Sequence, residues 1–417
     1  MADWHLWLPP ALAKPRFRYY AAGHSVSVIG GWVQQVGLAW LVYRLTGSAA
    51  LLGVTGFLLN IFYLLLGPLA GVVSDRFPRI KTLIVIDLIL AVCAAALALL
   101  AAFGVTFIPL YLAIATVIGI ANAFEMTVRQ TLIRDIVEER QLVASALGVS
   151  AMLFNGGRLV GPALAGLILA YVSEAWCFAL NALSYFAIIW ALVAMRLPPS
   201  KPVAGGSGSL PQGMSAGLSA LMAFPAVRYL LPIAVAIGLF GTPYVPLMPS
   251  IATHFFDGKS STVGILMSAA GTGALASAAY LSLQPGYSRQ LRLLTIAPIV
   301  VGAAMIAFAW MRILPLSMLL LALVGCSMLI AANSTNALLQ QSVPDAWRGR
   351  AIGLYSMSFA GTAPLGGLLS GFLADHVGLT ATLTFNGCAI ILAGLAARWR
   401  LHNHPEALRG LMRSLTR

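Results

Sequence analysis

The sequence predicts an all-α membrane protein of twelve transmembrane helices arranged as two pseudo-symmetric six-helix bundles. Three observations carry this prediction. The first is composition: 60% of the 417 residues are hydrophobic and 9% are charged, against about 25% charged in soluble domains. The second is length, because apolar runs of about 20 residues, enough to cross a hydrocarbon core of about 30 Å, recur along the whole chain between short polar breaks. The third is an internal repeat. Shifting the chain by 205 residues lays Gly148, Gly156, Gly161, Leu164 and Gly166 on Gly353, Gly361, Gly366, Leu369 and Gly371. A period of about half the chain means that one half-protein occurs twice.

The elements follow in order. Helix 1 is expected over residues 17–43 and helix 2 over 51–73, joined by the turn RLTGS. After a polar loop come helix 3 (80–103), helix 4 (108–136), helix 5 (141–171) and helix 6 (176–196). Residues 198–213, PPSKPVAGGSGSLPQG, have no hydrophobic period and read as a flexible linker. The plan then repeats with helix 7 (229–253), helix 8 (262–283), helix 9 (291–312), helix 10 (317–341), helix 11 (352–376) and helix 12 (380–401). The expected divisions are an N-terminal bundle at 1–196, a linker at 197–225, a C-terminal bundle at 226–401 and a short basic tail at 402–417. Such a plan belongs to secondary transporters, whose substrates bind near the midplane between the halves.

The net charge of +13 could suggest nucleic acid, but the placement of the charges points to a bilayer instead. If the N terminus is cytoplasmic, only Arg44, Lys259 and Arg312 of the 25 Lys and Arg fall outside, and Arg129 and Arg158 lie within helices. This is the positive-inside asymmetry, and it places both termini in the cytoplasm. The first helix is long, carries His24, Gln34 and Gln35, and lacks a short apolar core ending in a cleavage site, so it reads as a retained span. Cys93, Cys177, Cys326 and Cys388 are scattered singly, without the spacing of a zinc or redox site. Gly258-Lys259-Ser260 mimics the end of a phosphate-binding loop, but Thr253 stands where its first glycine is required.

The segment GVVSDRFPR, with Gly71, Asp75, Arg76 and Arg79, resembles the signature between helices 2 and 3 of the major facilitator superfamily. Pro78 departs from that signature, standing where a second glycine is usual. On helix 5, Gly148, Gly157, Gly161-Pro162 and Gly166 resemble the antiporter signature of the same superfamily, with Ala165 in place of a glycine. The stretches FNGGRLVGPALAG, WCFALNALSY and VPDAWRGRAIGL look like the exporters grouped with enterobactin and macrolide efflux proteins. The resemblance implies the major facilitator fold, export, and a cytoplasmic gate. In that gate Asp75 meets the N-terminal dipole of helix 11, while bases on the loop meet the end of helix 4 at Arg134 and Asp135.

Ionisable residues inside a span are functional hypotheses. Glu125 and Arg129 lie four apart on one face of helix 4, with Glu125 about 16 Å from its inner end. Arg158 lies deeper on helix 5. Two readings stand: Glu125 simply neutralises Arg129 while Asn155, backbone carbonyls or another helix holds Arg158, or the cluster faces a cavity, where Glu125 carries a coupling proton and Arg158 or Arg129 attracts substrate or tunes the carboxylate. Asp87, near the start of helix 3, reads as an interfacial partner of Lys81 or of a neighbouring base rather than as a proton site. His24 is a further proton-coupling candidate. Gln34, Gln35, Asn60, Asn155, Asn333 and Asn336 are candidates to line the cavity.

The expectation is therefore a proton-coupled exporter of an amphipathic small molecule, a siderophore or drug, in the inner membrane. It should act as a monomer in the lipid bilayer, with the proton gradient as energy source and no cofactor, metal, ATPase subunit or nucleic acid. A lysophospholipid transporter or a proton-independent uniporter of the same fold is the alternative. No catalytic constellation suggests an enzyme.

Overall fold

In hydrocarbon no water satisfies a backbone N–H or C=O, so an apolar chain closes its hydrogen bonds within helices. The computed structural model describes residues 9–139, 141–197, 221–222, 224–256, 258–282 and 287–403. Most of the expected linker and the tail from residue 404 lie outside the described residues. Among the described residues there is no strand, and eleven helices are long and apolar enough to cross a membrane.

The first unit comprises residues 1–47, 58–206 and 258–268. It holds helix 1 (Pro15–Thr46), most of helix 2 (Ala49–Arg76), helix 3 (Arg79–Ala102), helix 4 (Ile108–Val137), helix 5 (Val143–Tyr171) and helix 6 (Glu174–Ala194), with the opening turns of helix 8 (Ser260–Ser282). Helix 1 packs on helices 5 and 6, and helix 3 packs on helices 4 and 6. Lipid is as apolar as leucine, so close backbone packing has to bring these helices together. Gly23, Gly30 and Gly37 form a heptad stripe on helix 1. A Cβ there would stand 2.7 Å from Ala191 Cβ, 2.5 Å from Ser184 Oγ and 2.8 Å from Cys177 Cβ, all on helix 6. Helix 1 stops at Gly47, whose φ of 65° suits a residue without Cβ and lets its N–H reach Tyr43 O at 2.7 Å.

The second unit comprises residues 48–57, 207–257 and 269–417. It holds the first turns of helix 2, helix 7, the rest of helix 8, helix 9 (Tyr287–Trp310), helix 10 (Leu314–Gln341), helix 11 and helix 12 (Leu379–Asn403). Helix 9 packs on helices 10 and 12.

Two helices depart from the expected continuous spans. Helix 7 is α-helical over Pro225–Ala236, widens to a π-helical turn over Ile237–Gly241, and resumes only at Met248–Phe256. Pro243 and Pro246 fall in the gap, where each removes a donor and disfavours helix at the residue before it. Helix 11 is divided into Asp345–Phe359 and Ala363–Val377. Pro364 there would collide with the carbonyl four residues back, at Ala360, where the first piece ends. Counting divided helix 7 as one span restores the order of twelve.

Candidate functional site

The charged cluster of the first unit is built on Arg129. Helix 4 places Glu125 one turn before it, and Arg129 is 7% exposed. Its Nη2 donates to Glu125 Oε1 in a close ion pair and lies 3.4 Å from Asp87 Oδ1. Its Nη1 is 3.0 Å from His24 Nδ1 on helix 1. A guanidinium only donates, so Nδ1 of His24 accepts, and the imidazole in this arrangement is neutral with its hydrogen on Nε2. The ring of Tyr20, one turn earlier on helix 1, stacks on His24 with centroids 5.3 Å apart. One guanidinium thus faces two carboxylates and one neutral imidazole.

Asp87 corrects the sequence reading. It is 0% exposed rather than interfacial, and of the expected partners it meets a neighbouring base, Arg129, while Lys81 is exposed nearly two turns earlier on helix 3. Distance from the helix start suggested an interfacial position. Burial is instead decided by the face that helix 3 turns to helices 4 and 6, and an almost uniformly apolar helix does not reveal that face.

The other predicted residues are distributed as follows. Gln34 is buried and accepts a hydrogen bond from Asn181 Nδ2 at 2.9 Å, which spends its carbonyl on the packing of helices 1 and 6. Gln35 and Asn60 are half-buried. Arg158 is half-buried and forms no ion pair among the described residues. Asn155 donates to Ala151 O of its own helix at 2.8 Å. On helix 10, Asn333 is exposed, and Asn336 accepts from Gln340 Nε2 at 3.0 Å.

Around the loop after helix 2, Arg79 Nη1 donates to both oxygens of Asp135 at 2.7 Å, tying the start of helix 3 to the end of helix 4. Gly71 has open space where a Cβ would project; Asp75, Arg76 and Arg134 are exposed. On helix 5, a Cβ at Gly157 would press on Val28 Cγ1 at 2.5 Å, and one at Gly161 would overlap Trp32 Cβ. Pro162 is buried beside them. Gly166 meets Gly264 of helix 8, where an added Cβ would stand 3.0 Å from Gly264 Cα, whereas Gly148 has nothing within 4 Å. The stripe therefore packs helix 5 on helix 1 and on the opening of helix 8, leaving its first glycine free. Sequence reasoning passed over Gly23, Gly30 and Gly37, although their seven-residue spacing was there to be read.

The chain is similar along its length to known proteins. The model of the transmembrane secretion effector family matches residues 7–409. The staphyloferrin A transporter of Staphylococcus aureus is 24% identical over 376 residues, covering 90% of this chain and 93% of that one. The multidrug efflux pump Tap of Mycolicibacterium fortuitum is 28% identical over 381 residues, with coverages of 88% and 91%. Among solved structures, the nucleoside transporter NupG superposes with a TM-score of 0.68 at 16% identity, covering 92% of this chain and 98% of that one, a likeness of fold alone. The chain belongs to the transmembrane secretion effector family of the major facilitator superfamily and is a multi-pass membrane transporter, not an enzyme.

Proposed function

We propose that the protein is a proton-coupled exporter of an amphipathic small molecule, a siderophore or a drug, working by alternating access in the inner membrane. The observation that carries this reading is the cluster of buried Asp87 and Arg129 with half-buried Glu125 and His24 in one unit of an efflux-type chain. Two carboxylates around one arginine can share a proton, and its release redistributes the arginine's contacts, which suits a site that exchanges protons against substrate. The relatives named for staphyloferrin and multidrug efflux support the substrate class. The distribution of Lys and Arg supports cytoplasmic termini, which puts the Arg79–Asp135 pair on the cytoplasmic side. The proton gradient supplies the energy, and the chain works as a monomer.

The test is reconstitution in liposomes with an imposed pH gradient. Proton release is measured on adding a carboxylate siderophore, a macrolide and a lysophospholipid, with wild type beside Glu125→Gln. Release driven by siderophore or macrolide and lost in the variant supports the reading. Transport without proton movement would replace it with a uniporter, and response to lysophospholipid alone with a lipid transporter.

A further inference from the structure

We infer that Asp87, rather than Glu125, holds the exchanged proton, and that the Arg129–Glu125 ion pair is the structural counterpart of that protonated state. The inference rests on the coupled-exporter reading for the word "exchanged", and on the geometry alone for the location of the proton.

The charges around one guanidinium do not balance if both carboxylates are ionised. Arg129 brings a single positive charge. Its Nη2 is engaged closely by Glu125 and lies 3.4 Å from Asp87 Oδ1, a long contact beside it. Its Nη1 is taken by His24 Nδ1, which fixes that imidazole as neutral. Other ionisable groups near the carboxylates are phenols: Tyr20 of helix 1, Tyr63 of helix 2 and Tyr185 of helix 6. A neutral phenol can donate a hydrogen bond but cannot neutralise a charge, and Lys81 is exposed at the start of helix 3. Among the described residues, one carboxylate is therefore without a counter-charge.

The two carboxylates are not equivalent. The Glu125 side chain is 17% exposed and owns the short ion pair; the Asp87 side chain is 0% exposed, and its Oδ2 is buried without a hydrogen-bond partner among the described residues. An ionised carboxylate in that position loses its hydration with only one long hydrogen bond in return, whereas a neutral carboxyl loses one hydrogen bond. The proton belongs on Asp87. When Asp87 gives its proton to water, the new carboxylate needs the guanidinium, and Arg129 can turn to it only by loosening its grip on Glu125. Glu125, at the wetter edge of the cluster, is the carboxylate that can be left to solvent. Proton loss at a fully buried residue is thereby converted into the release of one that reaches solvent.

Infrared spectroscopy of the protein in lipid nanodiscs tests this without any substrate. A protonated carboxylic acid has a carbonyl-stretch band well separated from carboxylate bands. The band is expected in wild type at neutral pH, lost in Asp87→Asn and kept in Glu125→Gln. A band lost in Glu125→Gln and kept in Asp87→Asn, or no band in wild type, overturns the assignment. Because Asn mimics the neutral acid, Asp87→Asn should melt close to wild type; a large fall in melting temperature would mean that an ionised Asp87 had been serving Arg129. In liposomes, macrolide- or siderophore-driven proton release in wild type but not in Asp87→Asn supports the exchange. Release that persists in Asp87→Asn overturns Asp87 alone, and release absent from wild type overturns the coupled-exporter reading itself.

Discussion

The carboxylate of Asp375 caps the first turn of helix 2 from 326 residues away in sequence. Its Oδ1 accepts from the Ala49 amide at 2.7 Å, and its Oδ2 accepts from the Ala50 amide at 3.0 Å and the Ser48 hydroxyl at 2.6 Å. Ser48 Oγ in turn accepts from the Leu51 amide at 3.2 Å. An anion here satisfies amides that a helix start leaves without partners and meets the positive end of its dipole. The internal repeat does not copy this device, since Ala170 occupies the position equivalent to Asp375.

Asp375→Asn keeps the shape, removes the charge and can accept through one oxygen only. We expect a loss of about 1 kcal/mol at this contact, read as faster maleimide labelling of a cysteine placed at Ala50. Ala170→Asp, on the other copy, should leave labelling at Ala50 unchanged.

Arg129→Met leaves Glu125 charged and without its partner, and breaking a buried pair in this way costs about 3 kcal/mol. Adding Glu125→Gln removes the stranded charge. With Asp87 neutral, the double variant should recover most of the melting temperature lost by Arg129→Met, although transport stays lost. Recovery only when Asp87→Asn is also added would place the negative charge on Asp87.

The helix 5 signature divides into glycines that matter for packing and one that does not. A Cβ at Gly264 would stand 2.5 Å from Pro162 O and 2.8 Å from Gly166 Cα, both backbone atoms that cannot swing away. Gly264→Ala should therefore lower the melting temperature and the transport rate. Gly148→Ala meets nothing within 4 Å and should be neutral, or stabilising by up to about 1 kcal/mol through helix propensity.

Arg79 and Asp135 are half-buried and doubly bonded, so Asp135→Ala should cost about 1 kcal/mol and should increase proteolysis of the adjoining helix ends. The swapped pair Arg79→Asp with Asp135→Arg should recover part of that loss, measured in a double-mutant cycle.

What the sequence revealed and what it hid divide along a physical line. Span lengths and the repeat were legible because lipid imposes a minimum apolar length on every span: helix 4 begins at Ile108 as expected, and Gly166 and Gly371 occupy equivalent seams. The break in helix 7 was missed because Leu239, Phe240, Tyr244 and Val245 keep the run apolar, while Pro243 and Pro246 act on the backbone rather than on hydropathy. The partner of Arg129 was only half legible. Glu125 is a local neighbour at helical spacing, but Asp87 comes from a helix apolar on every side, where no polar face shows which way an aspartate points.

Gly166 meets Gly264 inside the first unit, and Gly371 meets Gly53 inside the second, where a Cβ at Gly371 would stand 3.1 Å from Gly53 Cα. These crossings are made of backbone against backbone. A glycine has no rotamers to freeze when such a surface forms and none to release when it parts. Helices meeting through leucines must re-order side chains at each contact, a cost in entropy and in time. Helices meeting through glycines bring backbone to backbone, Cα–H to carbonyl oxygen, with no side chain to re-order at each contact.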